Sequence, residues 1–260
     1  MKLALVPSMF YGLVVVVGMM FAVWLASLAR NDSSLVDRVW GFGFVLLGWF
    51  YFMATPSPNL LPPVLASVWG LRLSAHLTRR NWGHGEDRRY ADMREKHRRH
   101  YALFSLFAVY LVQAVLLWII AFPLLAGTCG TVSGSGGTTL VIVGATIWLV
   151  GFLFETVGDH QLARFRRDPA NRGKVLDTGL WRYTRHPNYF GDMVVWWGLY
   201  LLAAAAGGWW TIFAPILMTL FLVRVSGVTL LEKNLNESRP GYRDYVRRTS
   251  ALIPLPPRRG

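Results

Sequence analysis

The residues best suited to chemistry lie in one short stretch, RYTRHPNYFGD, at positions 182–192. Pro187 is tolerated in the first turn of a helix and biases His186 towards an extended backbone, so we expect a helix to begin near Asn188. The free N–H groups at a helix start favour an anion. Six side chains of the stretch offer positive charge or directional hydrogen bonds: Arg182, Tyr183, Arg185, His186, Asn188 and Tyr189. The stretch therefore predicts an anion-binding site, and a plain amphipathic helix cap is the alternative.

A second polar cluster begins in the apolar stretch 60–78 and continues into the next loop. Four basic residues recur there at helical spacing: Arg72, His76, Arg79 and Arg80. They put positive charge on one helix face, which suits a phosphate, whereas snorkelling towards lipid headgroups is the competing explanation. The loop then adds Asn81, Glu86, Asp87, Arg89 and Tyr90. Because Glu86 and Asp87 lie among arginines, we expect them to organise those arginines rather than to bind a metal ion.

A third cluster, ETVGDHQLARFRR at positions 155–167, ends the apolar stretch 138–158. Glu155 and Asp159 share one helix face, but His160 points about 100° away from Asp159, which is a poor arrangement for a three-ligand metal site. We therefore expect no metal. A carboxylate followed by arginines suits a nucleotide, since the acid can bind hydroxyl groups and the guanidinium groups can bind phosphates.

Three further charged residues lie within or beside apolar stretches. Asp37 lies in LVDRVWG, where it is either a helix-start acid beside Arg38 or a proton donor that faces the protein interior. Arg224 lies among Leu, Phe and Val, so it must face protein or a polar cavity. Glu232 follows eight residues later, about two helical turns along the same face, and the pair predicts a shared polar groove.

The elements that must position these residues are membrane-spanning helices. Hydrophobic residues make up 53% of the 260 residues, charged residues only 16%, and the mean hydropathy is +0.35. Such a composition is typical of an integral membrane protein, in which a spanning helix needs roughly 20 mostly apolar residues. The sequence predicts seven spans, near 5–29, 36–54, 60–78, 102–126, 138–158, 189–206 and 209–230. Polar residues and prolines interrupt the third stretch, so six spans is the alternative.

The distribution of Lys and Arg distinguishes these two topologies, because cytoplasmic loops carry the excess of positive charge. Basic residues concentrate in four segments: 30–38, 79–100, 160–188 and the tail from 231. Three segments between them contain none: 55–59, 127–139 and 206–210. This alternation favours seven spans, with the N-terminus outside and the C-terminus in the cytoplasm.

We therefore predict an all-α, multi-pass protein of the bacterial inner membrane. Residues 1–260 are expected to form a single seven-helix domain, with the active site facing the cytoplasm and the tail 231–260 packed on that site. The net charge of +13 then reflects topology and attraction to anionic headgroups. Nucleic-acid binding is not expected, because the basic residues are divided over several loops without a recognition motif. The single cysteine, Cys129, excludes an internal disulfide and any multi-cysteine metal site.

Four segments carry a resemblance to a known family: DHQLARFR, GLWRYTRHPNYFGD, SGVTLLEK and YRDYVRRTSALIP. Together they resemble the C-terminal domain of the steroid 5α-reductase superfamily, in its bacterial branch of mostly unassigned substrate. The resemblance extends through VDRVWG and the EDRRY loop of the first half. RHPNY alone is less specific, because membrane methyltransferases such as isoprenylcysteine carboxyl methyltransferase carry a similar RHPxY turn.

The resemblance implies a seven-helix membrane enzyme that binds NADPH in a cytoplasm-facing pocket. Its implied reaction is reduction of a carbon–carbon double bond conjugated to a carbonyl, in a steroid-like or other lipid. By position, the residues that match dinucleotide contacts of the family are Asp159, Arg166, Lys174, Asn188 and Arg224. Asp192 falls where the family often has Glu, and His76 and Arg80 match the polar end of a core helix. The polar residues that we also expect to contact the cofactor are Arg79, Arg80, Asn81, Glu86, Asp87, Arg89, Tyr90, Arg182, Tyr183, Arg185, His186, Tyr189, Asp192 and Glu232.

Two positions depart from the steroid-reducing members of that family. VDR replaces their Gln-Glu pair, with Asp37 at the acid, and Trp69 takes the place of their substrate-binding Tyr. Steroid specificity is therefore not implied.

The proposed chemistry needs a proton donor at the substrate carbonyl, because hydride addition to the β-carbon of an enone builds negative charge on that oxygen. A carboxyl group surrounded by hydrocarbon favours its protonated form, which predicts Asp37 as the donor, with His76 as the reserve candidate. No GxGxxG follows a strand, so a Rossmann site is excluded and the dinucleotide must lie among helix ends and loops.

Two other functions compete with a reductase. A membrane methyltransferase would use S-adenosylmethionine, which has no phosphates and gives no reason for so many arginines. A transporter or lipid-binding scaffold would not oxidise NADPH at all.

Overall fold

The computed structural model describes residues 4–56, 58–225 and 241–258, and it is about 80% helical. Within these ranges there is no β-strand, and the only extended pairing is an isolated bridge between Thr184 and Ser250. The all-α class is therefore confirmed. The chain divides into two compact units: unit 1 comprises 1–137 with 203–211, and unit 2 comprises 138–202 with 212–260.

Unit 1 begins with three long helices. They are α1 (Leu5–Arg30), α2 (Leu35–Ala54) and α3 (Leu61–Asn81). Asn31 ends α1 in the left-handed conformation, with φ 50°, and its N–H donates to Leu28 O. Pro62 and Pro63 occupy the first turn of α3, where a missing N–H costs nothing.

Glycines let α2 and α3 approach each other closely. A Cβ atom on Gly41 would lie 2.6 Å from the carbonyl oxygen of Gly70. Phe44 and Trp69 fill the same helix pair, both fully buried with ring centroids 5.7 Å apart. Trp69 is thus a core residue of unit 1.

The next helical region, Arg88–Cys129, is interrupted several times. It contains α4 (Arg88–His97), α5 (Tyr101–Ser105), a π-helical turn (Leu106–Leu111), α6 (Val112–Ile120) and α7 (Phe122–Cys129). Arg98, with φ 42°, separates α4 from α5. The predicted span 102–126 lies inside this region.

Unit 2 is dominated by α8 (Gly134–Arg167) and α9 (Pro187–Ala205). Helix α9 starts one residue before the predicted Asn188. Helix α8 continues nine residues beyond the predicted end at 158, so the whole polar sequence up to Arg167 is helical. Gly151 permits close packing, since a Cβ atom there would lie 2.6 Å from Val195 N and 2.7 Å from Gly191 O.

The described elements at the end of unit 2 are short. They are α10 (Phe213–Leu220), a π-helical turn (Phe221–Val225) and α11 (Tyr242–Arg248). Among the described residues, four helices are long and apolar enough to cross a membrane: Leu5–Arg30, Leu35–Ala54, Arg88–Cys129 and Gly134–Arg167. They indicate an integral membrane protein. The seventh predicted span, 209–230, is only partly described, so seven spans and the orientation of the termini stay predictions.

Candidate functional site

The loop between α1 and α2 is tied to the loop that precedes α4. The backbone N–H of Ser33 donates to Glu86 Oε1 at 2.7 Å, and the Oγ of Ser34 accepts from the backbone N–H of Asp87 at 2.7 Å. Two arginine–carboxylate pairs complete this connection. Arg94 binds Glu86 at 2.8 Å, and the Nε of Arg89 binds Asp87 at 2.9 Å. Glu86 and Asp87 therefore organise arginines, as the sequence predicts.

The electrostatics of this loop favour ionised carboxylates. Burial raises the pKa of Glu86, but hydrogen bonds from Arg94 and Ser33 outweigh it and hold that pKa below its ordinary value. Burial also raises the pKa of Asp87, but the hydrogen bonds from Arg89 outweigh it. The pKa of Asp87 is therefore below its ordinary value as well. Both groups are thus fixed anions at neutral pH.

Asp37 lies at the centre of the polar residues of unit 1. The hydroxyl of Tyr90 donates to Asp37 Oδ1 at 2.9 Å, and Arg89 donates to Asp37 Oδ2 at 2.7 Å. Asp37 is 23% exposed, whereas Tyr90 is buried. The expected surroundings of hydrocarbon alone are therefore wrong, because Asp37 is held in an ion pair and by a phenol. In this arrangement the Tyr90 hydroxyl is the hydrogen-bond donor and Asp37 the acceptor.

The basic residues of α3 occupy the last turns of that helix. His76 is half-buried, whereas Arg79 and Arg80 are exposed. Arg80 Nε donates to Asn81 Oδ1 at 3.1 Å. Trp69, which occupies the position of the substrate-binding Tyr in the resemblance, is packed in the core against Phe44.

In unit 2, two of the segments that carry the resemblance, DHQLARFR and GLWRYTRHPNYFGD, meet through Asp159 and Asn188. Asn188 Nδ2 donates to Asp159 Oδ1 at 3.2 Å, and Asp159 is buried on α8 together with Glu155. A Cβ atom on Gly158 would lie 3.2 Å from the N of Asn188, so the glycine allows this approach.

The start of α9 packs closely around this pair. The ring of His186 is buried and stacks on Tyr189, with centroids 5.4 Å apart and planes 6° from parallel. Asp192 is buried one turn further along. The stretch 186–192 is thus a packed cluster rather than a row of side chains in solvent, and its anion stays a prediction.

Arg185 has a different environment from the one expected at an anion site. Its guanidinium group donates to Thr249 O at 2.6 Å and to Val246 O at 3.1 Å. Its backbone N–H donates to Ser250 O at 2.9 Å. These bonds indicate that Arg185 holds the C-terminal segment beside the 3₁₀ turn Gly179–Arg182.

The remaining predicted cofactor residues of unit 2 are exposed: Arg166, Lys174, Arg182, Tyr183 and Arg224. Arg224 lies in the π-helical turn Phe221–Val225. Glu232 and the segment SGVTLLEK, residues 226–233, lie outside the described residues, so the groove of Arg224 and Glu232 stays a prediction.

Sequence reasoning missed several residues that shape these clusters. Ser33, Arg94 and Tyr101 form one hydrogen-bonded set, in which Tyr101 donates to Ser33 Oγ at 2.8 Å. Tyr245 donates to the carbonyl oxygen of Trp181, and the indole N–H of Trp181 donates to Gly158 O at 3.1 Å. These contacts join positions 23 to 68 residues apart, so no local spacing signals them.

Comparison with known proteins gives one relative that matches most of the chain. The uncharacterised protein C594.04c of Schizosaccharomyces pombe is 26% identical over 263 residues, which cover 89% of this chain and 75% of that protein. No solved structure matches.

Three proteins that match shorter parts of the chain have names that state an activity. The 3-oxo-5-alpha-steroid 4-dehydrogenase 1 of Bos taurus is 35% identical over 57 residues, covering 22% of each chain. The Rattus norvegicus enzyme of the same name is 27% identical over 114 residues, covering 44% of this chain and 41% of the enzyme. A probable O-methyltransferase, ustE of Ustilaginoidea virens, is 37% identical over 70 residues, covering 25% of each chain. The chain thus matches less than half the length of each of these three proteins.

The sequence model of one family matches most of the chain, at residues 23–249. That range includes both polar clusters, from Asp37 in unit 1 to Asn188 in unit 2. The chain therefore belongs to the DUF1295 family of proteins of unknown function, within the steroid 5α-reductase-like group.

Proposed function

We propose that this protein is an NADPH-dependent membrane reductase of a carbon–carbon double bond conjugated to a carbonyl, in a steroid-like or other lipid. The family and the partial similarity to 3-oxo-5-alpha-steroid 4-dehydrogenases support a membrane reductase-like function. The observation that carries the finer proposal is the hydrogen bond between Asn188 and Asp159. It joins the two segments whose residues match dinucleotide contacts in the resemblance.

The donor set of unit 2 fits a phosphorylated dinucleotide. The buried carboxylate of Asp159 suits a hydroxyl group, and the exposed cations Arg166 and Lys174 suit phosphates. NADPH, when bound, supplies a hydride to the β-carbon of the substrate. Asn188 holds Asp159 in position, and the stack of His186 on Tyr189 fixes the start of α9 beside it.

In unit 1, we assign the proton-donating role to the pair Tyr90 and Asp37. The substrate's carbonyl oxygen needs a proton donor as negative charge builds on it. In the structure the Tyr90 proton lies in a hydrogen bond to Asp37, while Arg89 holds the second oxygen of that carboxylate. To act as donor, the hydroxyl turns this proton from Asp37 to the substrate's carbonyl oxygen, and the positive charge of Arg89, 5.3 Å from the Tyr90 ring, offsets the phenolate that is left. The donor proposed here is therefore the hydroxyl of Tyr90, and Asp37 orients it. His76 stays the reserve candidate.

The proposal includes a topology. Seven spans, an outside N-terminus and a cytoplasmic C-terminus in a bacterial inner membrane would give the basic loops to the cytoplasm, where NADPH is available. The predicted tail 231–260 adds Arg243, Arg247 and Arg248 to that side.

Equilibrium titration of the purified full chain in lipid nanodiscs tests the cofactor assignment. We expect saturable binding of NADPH, followed by its fluorescence, and about tenfold or greater weakening in Asp159→Asn or Asn188→Ala. Arg88→Gln is the control, because Arg88 is 93% exposed and lies in unit 1. Absence of NADPH binding by the wild-type protein would remove the proposal.

A methyltransferase that uses S-adenosylmethionine is the second candidate, supported by the similarity to a probable O-methyltransferase over 70 residues. The same nanodisc sample, titrated with S-adenosylmethionine, separates the two. Binding of S-adenosylmethionine without binding of NADPH would establish the second candidate in place of the first.

A further inference from the structure

Unit 2 contains a basic pocket of about 370 Å³ beside the C-terminal segment. Its polar lining residues are Asp177, Thr178, Arg182, Tyr245, Arg248, Thr249 and Arg258. Of these, only Arg182 belongs to the residues predicted to contact a cofactor. Asp159, Arg166, Lys174 and Asn188 do not line the pocket.

The three arginines of the basic pocket come from three separate elements that backbone hydrogen bonds hold together. Arg182 ends the 3₁₀ turn Gly179–Arg182, Arg248 ends α11, and Arg258 lies on the non-helical segment 250–258. Two backbone hydrogen bonds attach the segment 250–258 to the other two elements of the pocket. Leu255 N donates to Tyr183 O at 3.0 Å, and Arg258 N donates to Arg248 O at 2.9 Å.

Two further hydrogen bonds join α11 and the residue that follows it to residues 181–185. The buried hydroxyl of Tyr245 donates to Trp181 O, and Arg185 donates to Thr249 O at 2.6 Å. Four independent bonds therefore fix the backbone that carries the three guanidinium groups. The fold therefore brings the backbone positions of the three arginines to one pocket, and their exposed side chains reach into it from three sides.

The charge of the basic pocket is not neutralised from within. Asp177 is its one acidic lining residue, and it reaches only Arg248, at 3.9 Å, with both side chains 49% exposed. In the described ranges, no carboxylate forms an ion pair with Arg182 or Arg258. Arginines on a solvated surface normally stay apart, because like charges repel each other. Here three arginines line one pocket.

We propose that the basic pocket binds a phosphate group. Guanidinium groups present paired N–H donors that match phosphate oxygens, and the hydroxyl of Thr178 adds a neutral donor at the wall. The phosphate arrives either on a lipid headgroup or on a soluble phosphate ester. This proposal does not depend on the reductase activity proposed above.

Thermal unfolding of the full chain in an uncharged detergent, titrated with inorganic phosphate at constant ionic strength, tests the site. A ligand that binds the folded state raises the unfolding temperature with its concentration. We expect phosphate to do so and chloride not to, and we expect the double variant R182Q/R258Q to bind phosphate about tenfold or more weakly. Arg247→Gln is the matched control, since Arg247 is 80% exposed on the same helix as Arg248 and does not line the pocket.

A variant with the opposite sign guards against a simple loss of folding. Asp177→Asn removes the carboxylate that repels an anion, so phosphate should bind several-fold more tightly than to the wild type. Equal stabilisation by phosphate and chloride, wild-type affinity in the double variant, or no gain in Asp177→Asn would each overturn the phosphate site.

Two further arms identify the carrier of the phosphate. If it is a lipid headgroup, nanodiscs of phosphatidylglycerol abolish the phosphate-dependent shift, whereas nanodiscs of phosphatidylcholine preserve it. If it is a soluble ester, NADP⁺ or AMP displaces phosphate in phosphatidylcholine nanodiscs, and the double variant loses this competition. Failure of all these compounds to compete would contradict the proposal.

Discussion

At the residue scale, the polar side chains of this protein are held by named partners within each unit. Tyr90 donates to Asp37 and Arg89 fixes the same carboxylate, while Asn188 donates to Asp159 on α8. Arg185 serves backbone carbonyl oxygens instead. Residue type and spacing identified most of these side chains, but their partners are up to 64 residues away, and only packing determines such pairs.

Tyr90→Phe tests the proton-donating role in unit 1. The substitution removes one hydroxyl and keeps the ring, so we expect turnover of an enone lipid to fall about 10²- to 10⁴-fold with NADPH affinity unchanged. Tyr101→Phe is the matched control, because its hydroxyl binds Ser33 and not Asp37. Wild-type turnover in Tyr90→Phe would exclude Tyr90 as the donor.

Glu86→Gln tests the electrostatics of the loop before α4. The side chain of Glu86 is only 10% exposed, so loss of its charge beside Arg94 should cost about 1–3 kcal/mol of stability at pH 7. Because the pKa of Glu86 is lowered in the folded protein, its stabilising effect is complete above the ordinary carboxyl pKa of about 4.3 and is lost as the pH falls through the lower, folded value.

Unfolding temperatures of the wild type and Glu86→Gln between pH 7 and pH 3 measure this effect. The two curves should converge at the acidic end. A difference that is the same at every pH would show that the Glu86 charge contributes nothing to stability.

At the element scale, the helices follow from apolar runs and their ends from Pro, Gly and Asn. The start of α9 was predictable because Pro187 marks it, and α9 begins there. The end of α8 was not, because hydropathy falls at Asp159 although the good helix formers of LARFRR continue the helix to Arg167. The two π-helical turns, Leu106–Leu111 and Phe221–Val225, leave no signal in the pattern of apolar residues.

Gly151→Ala tests the packing of α8 on α9. The added methyl group would lie 2.6 Å from Val195 N, so backbone must move and we expect a loss of about 1–3 kcal/mol, or about 2–10 °C in unfolding temperature. Gly136→Ala, in the first turn of α8, is the control because its new Cβ meets no atom within 4 Å. Equal unfolding temperatures for the two variants would contradict this packing.

Arg185→Gln tests the attachment of the C-terminal segment. Loss of the bonds to Val246 O and Thr249 O should expose residues 241–258 to proteolysis, so chymotrypsin should cleave that segment several-fold faster. Arg182→Gln changes a neighbouring, exposed arginine and should leave the rate of cleavage by chymotrypsin unchanged. If both variants are cleaved at the wild-type rate, Arg185 does not hold the segment.

At the scale of the whole molecule, composition indicates an integral membrane protein, and four described helices agree with it. Composition does not give the number of spans. Arg72, His76 and other polar residues lower the hydropathy of α3 below that of these four helices. The chain belongs to a family of the steroid 5α-reductase-like group, and the reaction is our proposal.

Transfer of deuterium from labelled cofactor is the most direct measurement of the proposed reaction. The protein in nanodiscs is supplied with an enone lipid and with NADPH that carries deuterium at either C4 position, and the product is analysed by mass spectrometry. We predict that one of the two labelled cofactors gives a saturated ketone with one deuterium at its β-carbon. A product without deuterium from either cofactor, or a methylated lipid formed from S-adenosylmethionine, would contradict the account.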